Sequence, residues 1–171
     1  MILYHGSNII IENIDLNKCR PYKDFGKGFY CTTIKSQAEL MAKRVAAIYG
    51  GTAAVTEFCM SDNIFLDENL SIKVFEIPSK EWALFVLNNR SRSFSEFDSK
   101  ECNHDCKYDM VVGPIADDAL ALLFRSFSNG LIDIDTLVKD MKFKKFTNQY
   151  SFHTVKAIGH LKVIGGSVYG D

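Results

Sequence analysis

Two segments carry residue types able to hold a small polar ligand. Tyr4-His5-Gly6-Ser7 sets an imidazole beside a glycine, and Asp24-Phe25-Gly26-Lys27-Gly28-Phe29-Tyr30 sets two glycines ahead of a tyrosine. An imidazole can bond a hydroxyl, and a phenol ring can stack on a flat heterocycle. Glycine, lacking a Cβ, lets a ligand approach the main chain closely. Arg90 offers a fork that suits phosphate oxygens. Gln149 can bond a hydroxyl but can neither act as a carboxylate base nor carry charge. Asp117 and Asp118 can act on an acceptor or cap a helix. Each residue also has a plainer reading. A His-Gly is commonly a turn, a Gly-x-Gly-x-Tyr a hairpin, Arg90 a surface residue at a helix end, and His153 a core histidine. A glycine run before a helix can cradle phosphate, but the Walker pattern and the dinucleotide fingerprint are absent.

These residues need elements to position them. Ile2 to His5 reads as a strand turned by Gly6-Ser7-Asn8, and Phe29 to Thr33 as a second strand rich in aromatic and β-branched types. A helix follows, with Ser36 and Glu39 as its capping box, Leu40, Val45 and Ile48 as its apolar face, and Gly50-Gly51 as its end. Ala53 to Met60 reads as a buried strand. Pro78-Ser79 opens a helix with Trp82, Phe85, Val86 and Asn89 on one face. Tyr108 to Gly113 is a strand stopped by Pro114. Asp117-Asp118 begins a helix carrying Leu120, Leu123, Phe124 and Phe127, where acidic residues meet the positive end of the dipole. A shorter helix is expected over Asp133 to Met141, a strand over Gln149 to Thr154, and a last helix over Thr154 to Leu161. Short strands mixed with helices, in no regular βαβ alternation, indicate an α+β fold.

Bulk properties bound the rest. With 171 residues the chain reads as one domain, residues 1–171. Its net charge of -1, 47% hydrophobic and 24% charged content fit an ordinary globular protein, with no global pull toward nucleic acid or membrane. We read no secretion signal and no bilayer-spanning run. The five irregularly spaced cysteines fit free thiols in a reducing cytosol, so a cytoplasmic setting is expected. Cys102-Asn103-His104-Asp105-Cys106 has two thiols but no second pair at zinc spacing, so no metal is expected. Lys142-Phe143-Lys144-Lys145-Phe146 interleaves charge and aromatic rings. It suits an acidic surface or nucleic acid, or an amphipathic strand.

Taken together, His5-Gly6 and the turn from Asp24 to Tyr30 resemble the nicotinamide pocket of ADP-ribosyltransferases of the diphtheria-toxin and poly(ADP-ribose) polymerase type. The resemblance implies an α+β domain built on a split pair of small sheets, with NAD held between them as a substrate. It implies that His5 bonds a ribose hydroxyl, that the Gly6 main chain meets the carboxamide, and that Tyr30 stacks on nicotinamide beside Gly26 and Gly28. Ser36 would bond the amide; with NAD bound, the Arg90 fork would suit the pyrophosphate by its own chemistry. Many members place a glutamate where this chain has Gln149. That departure favours transfer of single ADP-ribose units over chain building. Asp117 or Asp118 would then serve the acceptor or replace the missing carboxylate.

The chain also resembles the bacterial DUF3990 domain family. The recurring pieces are Tyr4 to Ser7, Asp24 to Tyr30, Glu81-Trp82 with Asn89-Arg90, Tyr108-Asp109 to Asp117-Asp118, and Asn148-Gln149 with Phe152-His153-Thr154. That resemblance implies a bacterial toxin or effector setting and names no target; the acceptor would be a macromolecule, protein or nucleic acid, and a toxin of this kind would need an antitoxin in the cell that makes it. NAD hydrolysis, or a pseudoenzyme that only binds NAD or ADP-ribose, stand as alternatives.

Overall fold

The computed structural model describes residues 1–92, 102–116, 118–141 and 147–169. Among them run seven strands and five α-helices: β1 (Ile2–Ser7), β2 (Phe29–Thr32), α1 (Lys35–Tyr49), β3 (Ala53–Met60), β4 (Ile72–Val74), α2 (Lys80–Arg90), β5 (Met110–Pro114), α3 (Asp118–Ser128), α4 (Ile134–Met141), β6 (Asn148–Phe152), α5 (Val155–Ile158) and β7 (Leu161–Tyr169). The strands form one sheet in the order β4-β5-β6-β2-β1-β3-β7. Only β4 and β5 run parallel. The chain is therefore mixed α and β with a mostly antiparallel sheet.

The sheet is pinched in the middle. β1 pairs with β3 over six consecutive residues, but with β2 only at Tyr4 opposite Thr32. The expected pair of small sheets is thus one sheet with a thin join. On one side lie β4, β5, β6 and β2; on the other lie β1, β3 and β7.

Strand alternation divides the core. One face of the first half packs Phe25, Phe75, Trp82, Phe85, Val111, Leu120, Phe124 and Leu137 against α2, α3 and α4. Leu3, Phe29, Cys31, Phe58, Met110, Val112 and Phe152 gather on the opposite face with Ile64 and Ala157. Helix α2 forms as its sequence indicates. The Ser79 side chain caps it by accepting from Trp82 N–H, and Trp82, Phe85, Val86 and Asn89 are all buried. In α3, Leu120 and Phe124 are buried, while Leu123 and Phe127 pack beside them.

Helix α1 departs from expectation. Its cap position is Ile34, with no side-chain cap bond, so the Ser36–Glu39 capping box does not form. Leu40 and Ile48 are exposed, and the helix buries Ala38 and Ala42 instead. The reason is Gly6. A Cβ there would stand 2.0 Å from the Ala38 carbonyl oxygen and 2.8 Å from the Ala42 nitrogen. Helix and strand main chains are nearly in contact, and only small residues fit that approach. Gly50 does end the helix, at φ 74°.

The C-terminal region also differs. The last helix is a single turn, Val155–Ile158, capped by Thr154, and a nine-residue strand follows it. That strand, β7, pairs along β3 with a bulge opposite Glu57 and Phe58. Its edge position leaves most of it exposed, so the apolar alternation that marks a half-buried strand is weak. Among the described residues no helix is long and apolar enough to cross a membrane.

Candidate functional site

The pinch between β1 and β2 is where the first candidates meet. Beyond Tyr4 and Thr32 the two strands share no further register pair. His5 spans the seam: its Nδ1 lies 2.7 Å from the Tyr30 carbonyl oxygen, and its ring stacks on Phe29 at 4.2 Å and 25°. A carbonyl only accepts, so Nδ1 carries the hydrogen and Nε2 is left with its lone pair. Burial lowers the His5 pKa, the Tyr30 carbonyl opposes that, and the Lys23 charge adds to the lowering. At neutral pH the ring is therefore an uncharged acceptor at Nε2.

Tyr30 closes the loop before it. Its hydroxyl accepts from Phe25 N–H at 3.0 Å and donates to the Gly26 carbonyl at 2.7 Å. Burial, reinforced by the Asp24 charge, holds the phenol pKa well above its usual value, so it stays protonated. Phe25 is fully buried between Phe75 and Phe85. Gly26 sits at φ 94°, with a Cβ direction 3.0 Å from the Asn103 oxygen. Gly28 faces His153, whose Nδ1 would lie 2.6 Å from a Cβ. Both glycines are thus required by close packing of the protein on itself.

Asp24 anchors the other end of the loop. It is 8% exposed. Its Oδ1 accepts from Arg90 Nε at 2.8 Å and Nη2 at 2.7 Å. Its Oδ2 accepts from Ala116 N–H at 3.1 Å and from Gln149 Nε2 at 2.7 Å. Arg90 also donates to the Ala116 carbonyl at 2.8 Å. Asn89, one residue earlier on α2, is fully buried; it donates to Phe85 O and accepts from Asn103 N–H. One short loop thereby ties β2, α2, the end of β5 and β6 together.

His153 lies beneath. Its Nδ1 is 2.8 Å from the Lys27 carbonyl, so Nδ1 bears the hydrogen. Nε2, left as the acceptor, lies 2.9 Å from Ser151 Oγ, whose single hydrogen is shared between it and the Val111 carbonyl, to which Oγ donates at 2.9 Å. Burial drives the His153 pKa down to about 4, against the pull of the Lys27 carbonyl and Asp109. The imidazole is a neutral core group, as its place beside Phe152 suggests.

A family model described as "Protein of unknown function (DUF3990)" matches residues 1–163. The chain belongs to the DUF3990 family. No curated protein and no solved structure matches it. The matched region of this DUF3990 domain takes in both the seam and the Asp24 clasp.

Within the DUF3990 domain the candidates fall into two groups. His5 and Tyr30 are joined through the Tyr30 main chain, and Arg90 and Gln149 through Asp24. The two groups are neighbours, because Gln149 stands opposite Thr32, which stands opposite Tyr4. Their side chains divide across the sheet: the His5 ring packs on Phe29, while Tyr30 packs with the cluster around Phe25. Gly6 has α1 over its Cα. Ser36 is exposed in the first turn of α1. Arg90 spends Nε and Nη2 on Asp24 and the Ala116 carbonyl. Asp117 and Lys142 to Phe146 lie outside the described residues, as does the side chain of Asp118.

Reading by motif passed over Asp24, Asn89 and Ser151 as working parts. The available signal was an acid inside a glycine- and aromatic-rich run, since a buried acid demands a partner. The Cys102–Cys106 loop buries Cys102 and Asn103, and Asn103 bonds both the N–H and the carbonyl of Tyr108. Among the described residues no three His, Cys, Asp or Glu groups gather as a metal site. Two open surface depressions of about 300 Å³ each, one bordered by Phe65 to Ile72 and one by Cys59, His160 and Lys162, include none of the candidates.

Proposed function

We propose that this DUF3990 domain binds NAD at the seam between β1 and β2 and transfers single ADP-ribose units to a macromolecular acceptor. The observation that carries this reading is the His5 bridge. The sheet parts at that point, and the imidazole held across the gap is neutral, oriented and left with an acceptor at Nε2. Such a group suits a ribose hydroxyl. It binds by donated hydrogen without placing positive charge beside a ribose that becomes cationic as nicotinamide leaves. The motifs that resemble the ADP-ribosyltransferase pocket lie on the two strands beside that seam, with the His5 and Tyr30 rings on opposite faces of the sheet. Tyr30 would offer its ring to nicotinamide, Gly6 its main chain to the carboxamide, and Gln149 an amide oxygen to the nicotinamide ribose.

The charge balance of the site favours single transfers. Gln149 is neutral, and the Asp24 charge is offset by Arg90. No free carboxylate among these groups can deprotonate an acceptor hydroxyl of a growing chain, so the acceptor must supply its own nucleophile. A bacterial toxin or effector acting in the cytoplasm, countered by an antitoxin, fits that chemistry. The same neutrality favours a second reading, a module that binds NAD or ADP-ribose without turnover, with NAD hydrolysis between the two.

The test is incubation with adenylate-labelled NAD and cell lysate, followed by parallel nuclease and protease digestion. Label lost to one digest and retained in the other identifies the acceptor class. His5→Ala should cut labelling at least about a hundredfold, the scale of one lost transition-state contact in a preorganised site. Tyr30→Ala is a poorer control, because it strips partners from Phe25 N–H and the Gly26 carbonyl. Free ADP-ribose alone would indicate hydrolysis. Binding without nicotinamide release would indicate the module, and equal labelling by wild type and a folded His5→Ala protein would sink the assignment.

A further inference from the structure

Building on the NAD reading, we propose that Asp24 is a positioning residue that makes Gln149 an obligatory amide, whose carbonyl oxygen is presented to the ligand. An ionised carboxylate only accepts hydrogen bonds, so the Gln149 atom 2.7 Å from Asp24 Oδ2 is the amide nitrogen. The amide is planar, and its orientation is thereby set. Oε1 is turned away from Asp24 and has no partner among the described residues. Arg90, on Oδ1 through two nitrogens, and Ala116 N–H, on Oδ2, occupy the remaining lone pairs and hold the carboxylate still. Gln149 lies in the same cross-strand row as Thr32 and Tyr4, the last row before the seam parts.

Glutamine here is not a weakened glutamate. The carboxylate already stands at position 24. A glutamate at 149 would face it at hydrogen-bond distance, where two like charges cannot both ionise and one must take up a proton. Only an amide of this length donates to Asp24 while offering an acceptor outward. Among the described residues, Asp24 and, behind it, Arg90 face position 149, with Thr32 opposite it on β2 and Gly113 opposite it on β5. The ligand group this arrangement selects is a hydroxyl donor.

The experiment compares wild type, Gln149→Glu, Asp24→Asn and the exchanged pair Asp24→Asn with Gln149→Glu. NAD turnover and urea unfolding are followed from about pH 5 to about pH 8.5, a range that brackets a raised carboxyl pKa. Gln149→Glu alone should lose about tenfold or more in kcat at the alkaline end and regain it as pH falls and the pair takes up a proton. The exchanged pair should recover at least about threefold of that loss with a flatter profile, because the amide introduced at position 24 then donates where the Asp24 carboxylate accepted; recovery is partial because Ala116 N–H loses its acceptor on that atom. A Gln149→Glu protein with wild-type rate and no added pH dependence would overturn the proposal. So would two single effects that simply add. Absence of NAD binding by the wild type would fail the NAD reading instead. The urea midpoints of the same four proteins still decide the pairing: recovery at low pH and in the exchange supports it, and additive losses overturn it.

Discussion

The two halves of the sheet are held together by different means. The half containing β2, β5 and β6 relies on aromatic side chains and a buried polar clasp. Asp24, Arg90, Asn89, Gln149 and His153 each bond groups from another element. The half containing β1, β3 and β7 packs Leu3 and Phe58 on one face, and on the other relies on small residues, with Gly6, Ala38 and Ala42 letting α1 lie on the strand. The first half tolerates changes of volume poorly and changes of charge worse. The second is sensitive to a single methyl group. The seam runs between them, so a ligand there would be gripped by one wall that specifies polarity and one that specifies distance.

The largest effect is expected in the polar wall. Asp24→Ala leaves Arg90 without its counter-ion and Gln149 and Ala116 N–H without their acceptor. It should cost about 3 kcal/mol, near the lower end for a broken buried pair because Arg90 is partly exposed. Urea unfolding measures it, and a loss below about 1 kcal/mol would mean that the clasp is not a stability element.

Acid should weaken the same wall. The unfolded His153 titrates near 6.5 and the folded one at about 4, so between those values only the unfolded chain binds the proton. Stability should be whole above pH 6.5 and fall as pH drops toward 4, by up to about 3 kcal/mol. His5, also lowered, acts in the same direction. Replacing His153 with Gln should flatten that slope, and an unchanged slope would remove His153 from the account.

The apolar wall is probed by Gly6→Ala. The new methyl would meet the Ala38 carbonyl at 2.0 Å, so α1 must shift. The expected cost is about 1–3 kcal/mol. The comparison sharpens if this loss is independent of pH while the part that rests on His153 is not. The smallest effect belongs to Ser36→Ala. An N-cap serine is worth about 1 kcal/mol, but Ser36 is exposed and makes no cap. Its loss should stay within about 0.5 kcal/mol, readable as an almost unchanged melting temperature.

Legibility in the sequence followed burial and local signals. Helix α2 was readable because a capping serine and the spacing of Trp82, Phe85, Val86 and Asn89 agree with each other. Helix α3 was readable from Leu120 and Phe124 for the same reason. Helix α1 was located, but its inward face was misread, because hydrophobicity favours Leu40 and Ile48 whereas Gly6 admits only alanines. The strand β7 escaped because an exposed edge strand need not alternate. In the candidate site, the segments around His5 and Tyr30 stood out as motifs. Arg90 and Gln149 stood out singly, and nothing local announced that both bind Asp24.

By itself the sequence determined family membership, the α and β mixture, and which short segments carry the unusual residues. These depend on composition, order and local spacing. Only the tertiary structure decided that Gly26 and Gly28 are glycines to fit Asn103 and His153, that Gly6 is a glycine to fit α1, and that Asp24 orients Gln149. Those choices are made by contacts at hydrogen-bond distance, and by spaces too small for a Cβ, between residues up to 125 apart along the chain. No local propensity encodes contacts of that range; they exist only once the sheet has closed.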